Sequence, residues 1–179
     1  HFINLRRPQI GCRGEGEVVL RDLCRCLSQK KSLDKVAGIV FRQKGKLVET
    51  APRPLLPDLD ELPSPYQSGI FDFKQHQIAT LLASRGCTFN CSFCYTPKAF
   101  QRQIRWHSPR RVLKDMEVCY NKGLRNFFFC DPSFTFHKEN IHRIMGQIQA
   151  RRWKIDIWCT TRSDLVDRFL LLQMAKAGV

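Results

Sequence analysis

The chain has 179 residues, 43% of them hydrophobic, 13 Phe, and a formal net charge of +14, enough for a folded domain with a sizeable core. No apolar run is long enough to span a bilayer, and the opening HFINLRRPQI has no secretory apolar stretch, so a cytoplasmic protein is expected. Nine cysteines cannot all pair, and their spacing favours a reduced, metal-using protein over a disulfide scaffold.

The positive charge raises a nucleic-acid partner. The basic residues are scattered, however, as Arg6, Arg7, Lys30, Lys31, Arg102, Arg105, Arg110, Arg111, Arg151 and Arg152. Pairs on separate elements read as solvated surface, so nucleic-acid binding is not favoured. The missing initial Met and the closing MAKAGV, which stops where a helix would hand over to a strand, read as a piece of a longer chain.

Residues 1–50 are expected to form a small α+β appendage, the tail of a preceding unit. Gly14 and Gly16 mark a turn, followed by a helix through Val18, Leu20, Leu23 and Leu27. Val36–Phe41, a Lys44-Gly45 turn and Leu47–Val48 read as a hairpin. Residues 51–77 read as a stiff linker, since Pro52, Pro54, Pro57, Pro63 and Pro65 preclude regular helix. Its acids Asp58, Asp60 and Glu61 are taken as solvated.

Residues 78–179 alternate strand and helix. Strands are expected at 78–83, 124–130 and 155–159, the second buried on both faces. The first helix starts at Ser108-Pro109 and ends at Gly123. The second spans 140–150, with Ile141, Ile144, Met145 and Ile148 on one face. The third is capped by Ser163 or Asp164 and runs through Leu165, Phe169, Leu172 and Met174 to Gly178. This βαβαβα order predicts an α/β fold with a parallel sheet or part of a barrel. Chemistry in such folds gathers where strands end, and three loops meet that condition: the one after the first strand, Asp131–Phe134 and Thr160–Ser163.

The first of these loops reads SRGCTFNCSFCY, a C-x3-C-x2-C array of Cys87, Cys91 and Cys94. Three thiolates can hold three corners of a four-iron cluster, and no fourth cysteine follows at ferredoxin spacing, which leaves one iron open. Zinc, with His107 thirteen residues on as a fourth ligand, is the competing reading. Phe89, Phe93 and Tyr95 are expected to shield the site. Cys130 and Cys159 read as buried, inert thiols. Cys12, Cys24, Cys26 and Cys119 carry no spacing signal, and His76, His137 and His142 stand alone.

Taken with GEGE, GIVFRQKGKLVE, PDLDELPSPY, FFFCDPSFTF and WCTTRSDLVD, this array resembles the radical S-adenosylmethionine (SAM) superfamily. Within it the resemblance is to the cobalamin-associated branch of methyltransferases and anaerobic porphyrin cyclases. It implies a partial radical SAM barrel of about three βα units. Cys87, Cys91 and Cys94 would hold a 4Fe-4S cluster whose open iron chelates SAM. An electron from a flavodoxin- or ferredoxin-like reductase would then release a 5′-deoxyadenosyl radical to attack a small-molecule or peptide substrate. Phe93 would contact the adenine through its backbone. Cobalamin, where used, would be bound by a domain outside this chain, and the later strands of the barrel lie beyond it.

Many members carry Gly-Gly-Glu after the second strand, where this chain has Cys130-Asp131-Pro132. Asp131 reads either as the acceptor for the SAM ammonium or as a turn starter. Arg162 reads either as the partner of the SAM carboxylate or as an ion pair with Asp164. No catalytic side chain is singled out. The alternatives are an RNA-modifying, methylthiotransferase-like radical SAM enzyme and a non-enzymatic zinc module that binds nucleic acid.

Overall fold

The computed structural model describes residues 10–179; residues 1–9, with the Arg6-Arg7 pair, lie outside the described residues. Two compact units divide between Pro57 and Asp58.

In the first unit, β1 (Ile10–Cys12), β2 (Ile39–Gln43) and β3 (Lys46–Glu49) form an antiparallel meander, with α1 (Gly16–Ser28) between β1 and β2. The β2–β3 turn pairs Gln43 with Lys46. Lys44 and Gly45 sit at φ 48° and 78°, the paired positive φ that matches strand twist in a two-residue hairpin. The helix forms as expected, but its buried face is different. Val19 and Cys26 are buried, with Leu23 packed beside them, against Val36, Ile39 and Phe41, while Leu20 and Leu27 face solvent. A period through Val19, Leu23 and Cys26 satisfies 3.6 residues per turn better than one through Val18 and Leu20. The Thr50 hydroxyl closes the sheet end by bonding both the N–H and the carbonyl of Ile39, each at 3.0 Å.

In the second unit, β4 (Ile78–Leu81), β7 (Asn126–Phe129) and β8 (Asp156–Cys159) form a parallel sheet in the order β4-β7-β8. Helices α3 (Pro109–Asn121), α4 (Lys138–Ala150) and α5 (Arg168–Lys176) complete the series. The β4–β7 register sets Ile78 opposite Asn126, and the β7–β8 register sets Asn126 opposite Asp156. Alternate strand residues point one way. Ala79, Leu81, Phe127, Phe129 and Ile157 join Val112, Met116, Ile144, Met145, Ile148 and Leu170 in one core. Phe128 is only half-buried and Trp158 is exposed on the other face, so the middle strand is apolar on both faces but covered on one.

Helix ends follow local chemistry. The Ser108 hydroxyl accepts from the Arg111 N–H at 3.1 Å with Pro109 first in α3, and Gly123 takes φ +94° after its end. The third helix starts later than expected. Ser163–Leu165 is a separate 3-10 turn, and Asp167 caps α5 by accepting from the Leu170 N–H at 2.9 Å. Asp164 is unavailable as a cap because its carboxylate pairs with Arg162.

Residues 58–77 carry 3-10 turns at Leu59–Glu61 and Phe73–Gln75. Leu59 is fully buried, and the Tyr66 hydroxyl donates to the Thr80 carbonyl at 2.5 Å. Asp60 is no solvated acid: its carboxylate meets His107 Nδ1 at 2.8 Å and the Ser108 N–H at 3.2 Å. Burial opposes ionisation there, yet the hydrogen bonds from Ser108 and His107 prevail and hold Asp60 below the usual carboxylate range.

Candidate functional site

Beyond β4 the chain enters β5 (Ser84–Gly86), which pairs antiparallel with β6 (Ile104–Trp106), setting Ser84 opposite Trp106 and Gly86 opposite Ile104. The three cysteines lie on the excursion between these strands, which also carries α2 (Thr96–Ala99). Gly86 opens it at φ +91°, where a Cβ would collide with the Gln103 carbonyl. Only glycine satisfies both conditions.

Cys87 is buried at the start of the loop, and Cys91 and Cys94 are partly exposed. The Cys94 N–H donates to the Cys91 carbonyl at 3.1 Å, a single turn joining the last two sulfur carriers. Side-chain and backbone hydrogen bonds from Thr96 hold the Cys94 thiol below its ordinary value. Phe89 alone of the three aromatics packs inward, 5.5 Å from the Phe136 ring. Phe93 and Tyr95 are 91% and 74% exposed, so they do not shield the sulfurs.

The loop after β8 reaches this one through Arg162. Its Nη1 donates to Cys91 Sγ at 3.6 Å, its guanidinium lies 4.0 Å from the Phe89 ring centroid, and Nε and Nη2 fork onto Asp164 at 2.9 and 2.7 Å. The ion pair with Asp164, one of the two readings of this residue, is therefore formed. The contact with Cys91 had no sequence signal, because 71 positions separate the two.

Asp131 is 1% exposed. Its Oδ2 accepts from the Ala83 N–H at 3.0 Å and its Oδ1 from the Ser84 hydroxyl at 2.6 Å. Burial pushes its carboxyl up, against these hydrogen bonds. With both oxygens turned inward onto the end of β4, no accessible oxygen is left to support the reading as acceptor for a ligand ammonium. What the residue does is join two strand exits. The Thr160 hydroxyl donates to the Asp131 carbonyl and the Phe134 N–H to the Thr160 carbonyl, both at 2.9 Å, while Thr161 meets the hydroxyls of Ser133 and Thr135. All three loops expected to converge are thus tied together by direct bonds.

Cys159 is partly buried and pushed up to about 11 by burial. Cys130 is exposed rather than buried, and its Sγ donates to the Leu81 carbonyl at 3.4 Å. His107, the fourth ligand of the zinc reading, is committed to Asp60. Among the described residues no three His, Cys, Asp or Glu side chains stand close enough together to hold a metal ion, so the three sulfurs share a loop without being drawn into one cluster. As a donor set they still fit an iron–sulfur group: three soft thiols on one short segment, one of them already receiving a guanidinium N–H. An open cavity of about 530 Å³, lined by Tyr66, Phe71, Phe73, Lys114 and Lys122 among others, contains none of these residues. Several basic side chains are engaged within the unit: Arg111 with Asp115 at 3.0 Å, Arg125 over the Tyr120 ring at 3.8 Å and Arg151 over Trp153 at 4.9 Å. No helix among the described residues is long and apolar enough to cross a membrane.

Comparison with known proteins bears on this arrangement. An uncharacterised methyltransferase of Pyrococcus horikoshii is 30% identical over 171 residues, which cover 93% of this chain and 37% of that protein. The anaerobic magnesium-protoporphyrin IX monomethyl ester cyclase of Synechocystis is 30% identical over 192 residues, covering all of this chain and 38% of the cyclase. The chain thus spans little more than a third of these relatives. A solved structure of OxsB, a cobalamin-dependent SAM radical enzyme with aqua-cobalamin and SAM bound, superposes with a TM-score of 0.77 at 24% identity over 95% of this chain and 27% of that one, which establishes the shared fold. The family model of the radical SAM superfamily matches residues 81–179, more than half of the chain and all of its sulfur loop, and the chain therefore belongs to that superfamily.

Proposed function

We propose that this chain is the cluster-binding part of a radical SAM enzyme of the cobalamin-associated methyltransferase or cyclase type, with Cys87, Cys91 and Cys94 as the protein ligands of a 4Fe-4S cluster. One observation carries the reading. In a chain of this superfamily, three thiols occupy a single excursion between β5 and β6, on the segment that follows the C-terminal end of the parallel strand β4, the side where barrel and open-sheet enzymes place their chemistry. When bound, the cluster would supply one electron, from an external reductase, to break the C5′–S bond of SAM, giving methionine and a 5′-deoxyadenosyl radical.

The chain's own residues prepare that site. Gly86 turns the loop away from β5, and Cys87 anchors its buried end. Phe93, 91% exposed on the loop, is proposed to meet the adenine through its backbone. Asp131, bonded to Ala83 and Ser84, fixes the strand exit that delivers the sulfurs. The substrate is proposed to be a small molecule or peptide, the electron donor a flavodoxin or ferredoxin, and cobalamin a ligand of a domain outside this chain.

Anaerobic reconstitution with iron and sulfide should load about four irons per chain. Changing any of Cys87, Cys91 or Cys94 to Ala should abolish loading, whereas Cys130→Ala should not. Reduced protein mixed with SAM should release 5′-deoxyadenosine. Iron uptake that is indifferent to all three alanine changes, or zinc in place of iron, refutes the assignment.

A further inference from the structure

The Arg162 side chain makes three contacts of different kinds, and together they fix where its charge sits. Its fork, Nε and Nη2, is consumed by the two oxygens of Asp164. Its flat face lies on Phe89 at 4.0 Å, and Phe89 itself is held at its edge by Phe136. The remaining edge, Nη1, points at Cys91 Sγ at 3.6 Å. A planar cation forked on one side and stacked on another has little freedom to swing. The N–H aimed at the sulfur is therefore preorganised. A lysine could bring the charge but neither the fork nor the stack.

We propose that Arg162 is a positioning and potential-tuning residue of the sulfur loop: through its N–H it holds the Cys91 sulfur and raises the reduction potential of the cluster bound there. The inference rests on the reading of Cys91 as a cluster ligand and goes beyond it. Hydrogen bonds to cluster sulfurs, like nearby positive charge, favour the reduced form, which carries one more negative charge. It also separates two roles for one residue. A guanidinium spent on Asp164, Phe89 and Cys91 has no fork left for the carboxylate of SAM.

The test is a redox titration of reconstituted protein without SAM, followed by electron paramagnetic resonance, beside a separate measurement of SAM affinity. Arg162→Gln should keep about four irons per chain and an unchanged circular dichroism spectrum. Its reduction equilibrium should shift about tenfold toward the oxidised cluster, 59 mV for a one-electron couple. Arg162→Lys should recover only part of the shift, and Phe89→Leu, which removes the stack alone, should move it the same way by less. Should Arg162→Gln fail to load iron, Phe89→Leu decides the matter, since it frees the guanidinium without deleting it or any charge; a shift toward the oxidised cluster supports the proposal, and no shift or the opposite one overturns it. Equal potentials in loaded wild type and Arg162→Gln, or a loss of SAM affinity with the potential unmoved, overturn the role while leaving the cysteine assignment intact. Wild-type protein that takes up no cluster overturns both.

Discussion

Replacing Gly86 by Ala should destabilise the second unit in two separable ways. At φ +91° an L side chain is strained by about 1–2 kcal/mol. The added Cβ would also strike the Gln103 carbonyl, backbone that cannot move without opening the β5–β6 pairing beside Gly86 and Ile104. Losing one or two of those bonds costs about 0.5–1.5 kcal/mol each, so the total is roughly 3 kcal/mol. Gly123 provides the control. It has nearly the same φ, +94°, but nothing within 4 Å of its hypothetical Cβ, so Gly123→Ala should show the strain alone. All three tryptophans, Trp106, Trp153 and Trp158, belong to the second unit. Tryptophan fluorescence in urea therefore follows this unit without interference from the other. With a slope of about 2 kcal/mol per molar urea, the Gly86→Ala midpoint should fall below that of Gly123→Ala by roughly 0.3–1.5 M. Coincident midpoints would refute the collision, and with it the claim that the sulfur loop needs a glycine at its entrance.

Asp131 sets a pH dependence of definite sign. Its folded carboxyl is raised by burial, so its contribution is fully present below the unfolded value near 3.9 and is lost as pH climbs through the folded one. Asp131→Asn should remove that falling segment from a stability-versus-pH profile of the second unit; a variant profile parallel to wild type would contradict it. Thiol labelling should rank the cysteines. Cys94, lowered by Thr96, should react first with iodoacetamide under mildly alkaline conditions, and Cys119, fully buried and pushed up to about 12 by burial, should react last. Mass spectrometry after timed quenching reads the order.

Elements announced by local chemistry were legible in the sequence. The Ser108-Pro109 start, the Gly123 stop and the Lys44-Gly45 turn state their geometry within a few residues, and the alternation of apolar strands and amphipathic helices is enough for a parallel α/β fold. Features that depend on distant partners were not. The three-residue strands β5 and β6 have no room for a period, and their pairing joins segments far apart in sequence. The start of α5 was misplaced because Ser163, Asp164 and Asp167 are all good caps, and only the Arg162–Asp164 pair shows which is already spent. Asp60 looked like any acid in a proline-rich stretch, and its partners His107 and Ser108 lie nearly fifty positions away. The spacing of Cys87, Cys91 and Cys94 named a chemistry outright. The guanidinium beside one of those sulfurs needed the fold.

The β5–β6 pairing has a thermodynamic consequence. It cinches both ends of the 87–103 excursion, so much of the entropy of bringing the ends of this loop together is spent when the protein folds rather than when metal arrives. Metal capture and the integrity of a short two-stranded clasp then become one equilibrium viewed from two sides: occupancy should slow amide exchange at the clasp, and whatever prises the clasp apart should release the metal.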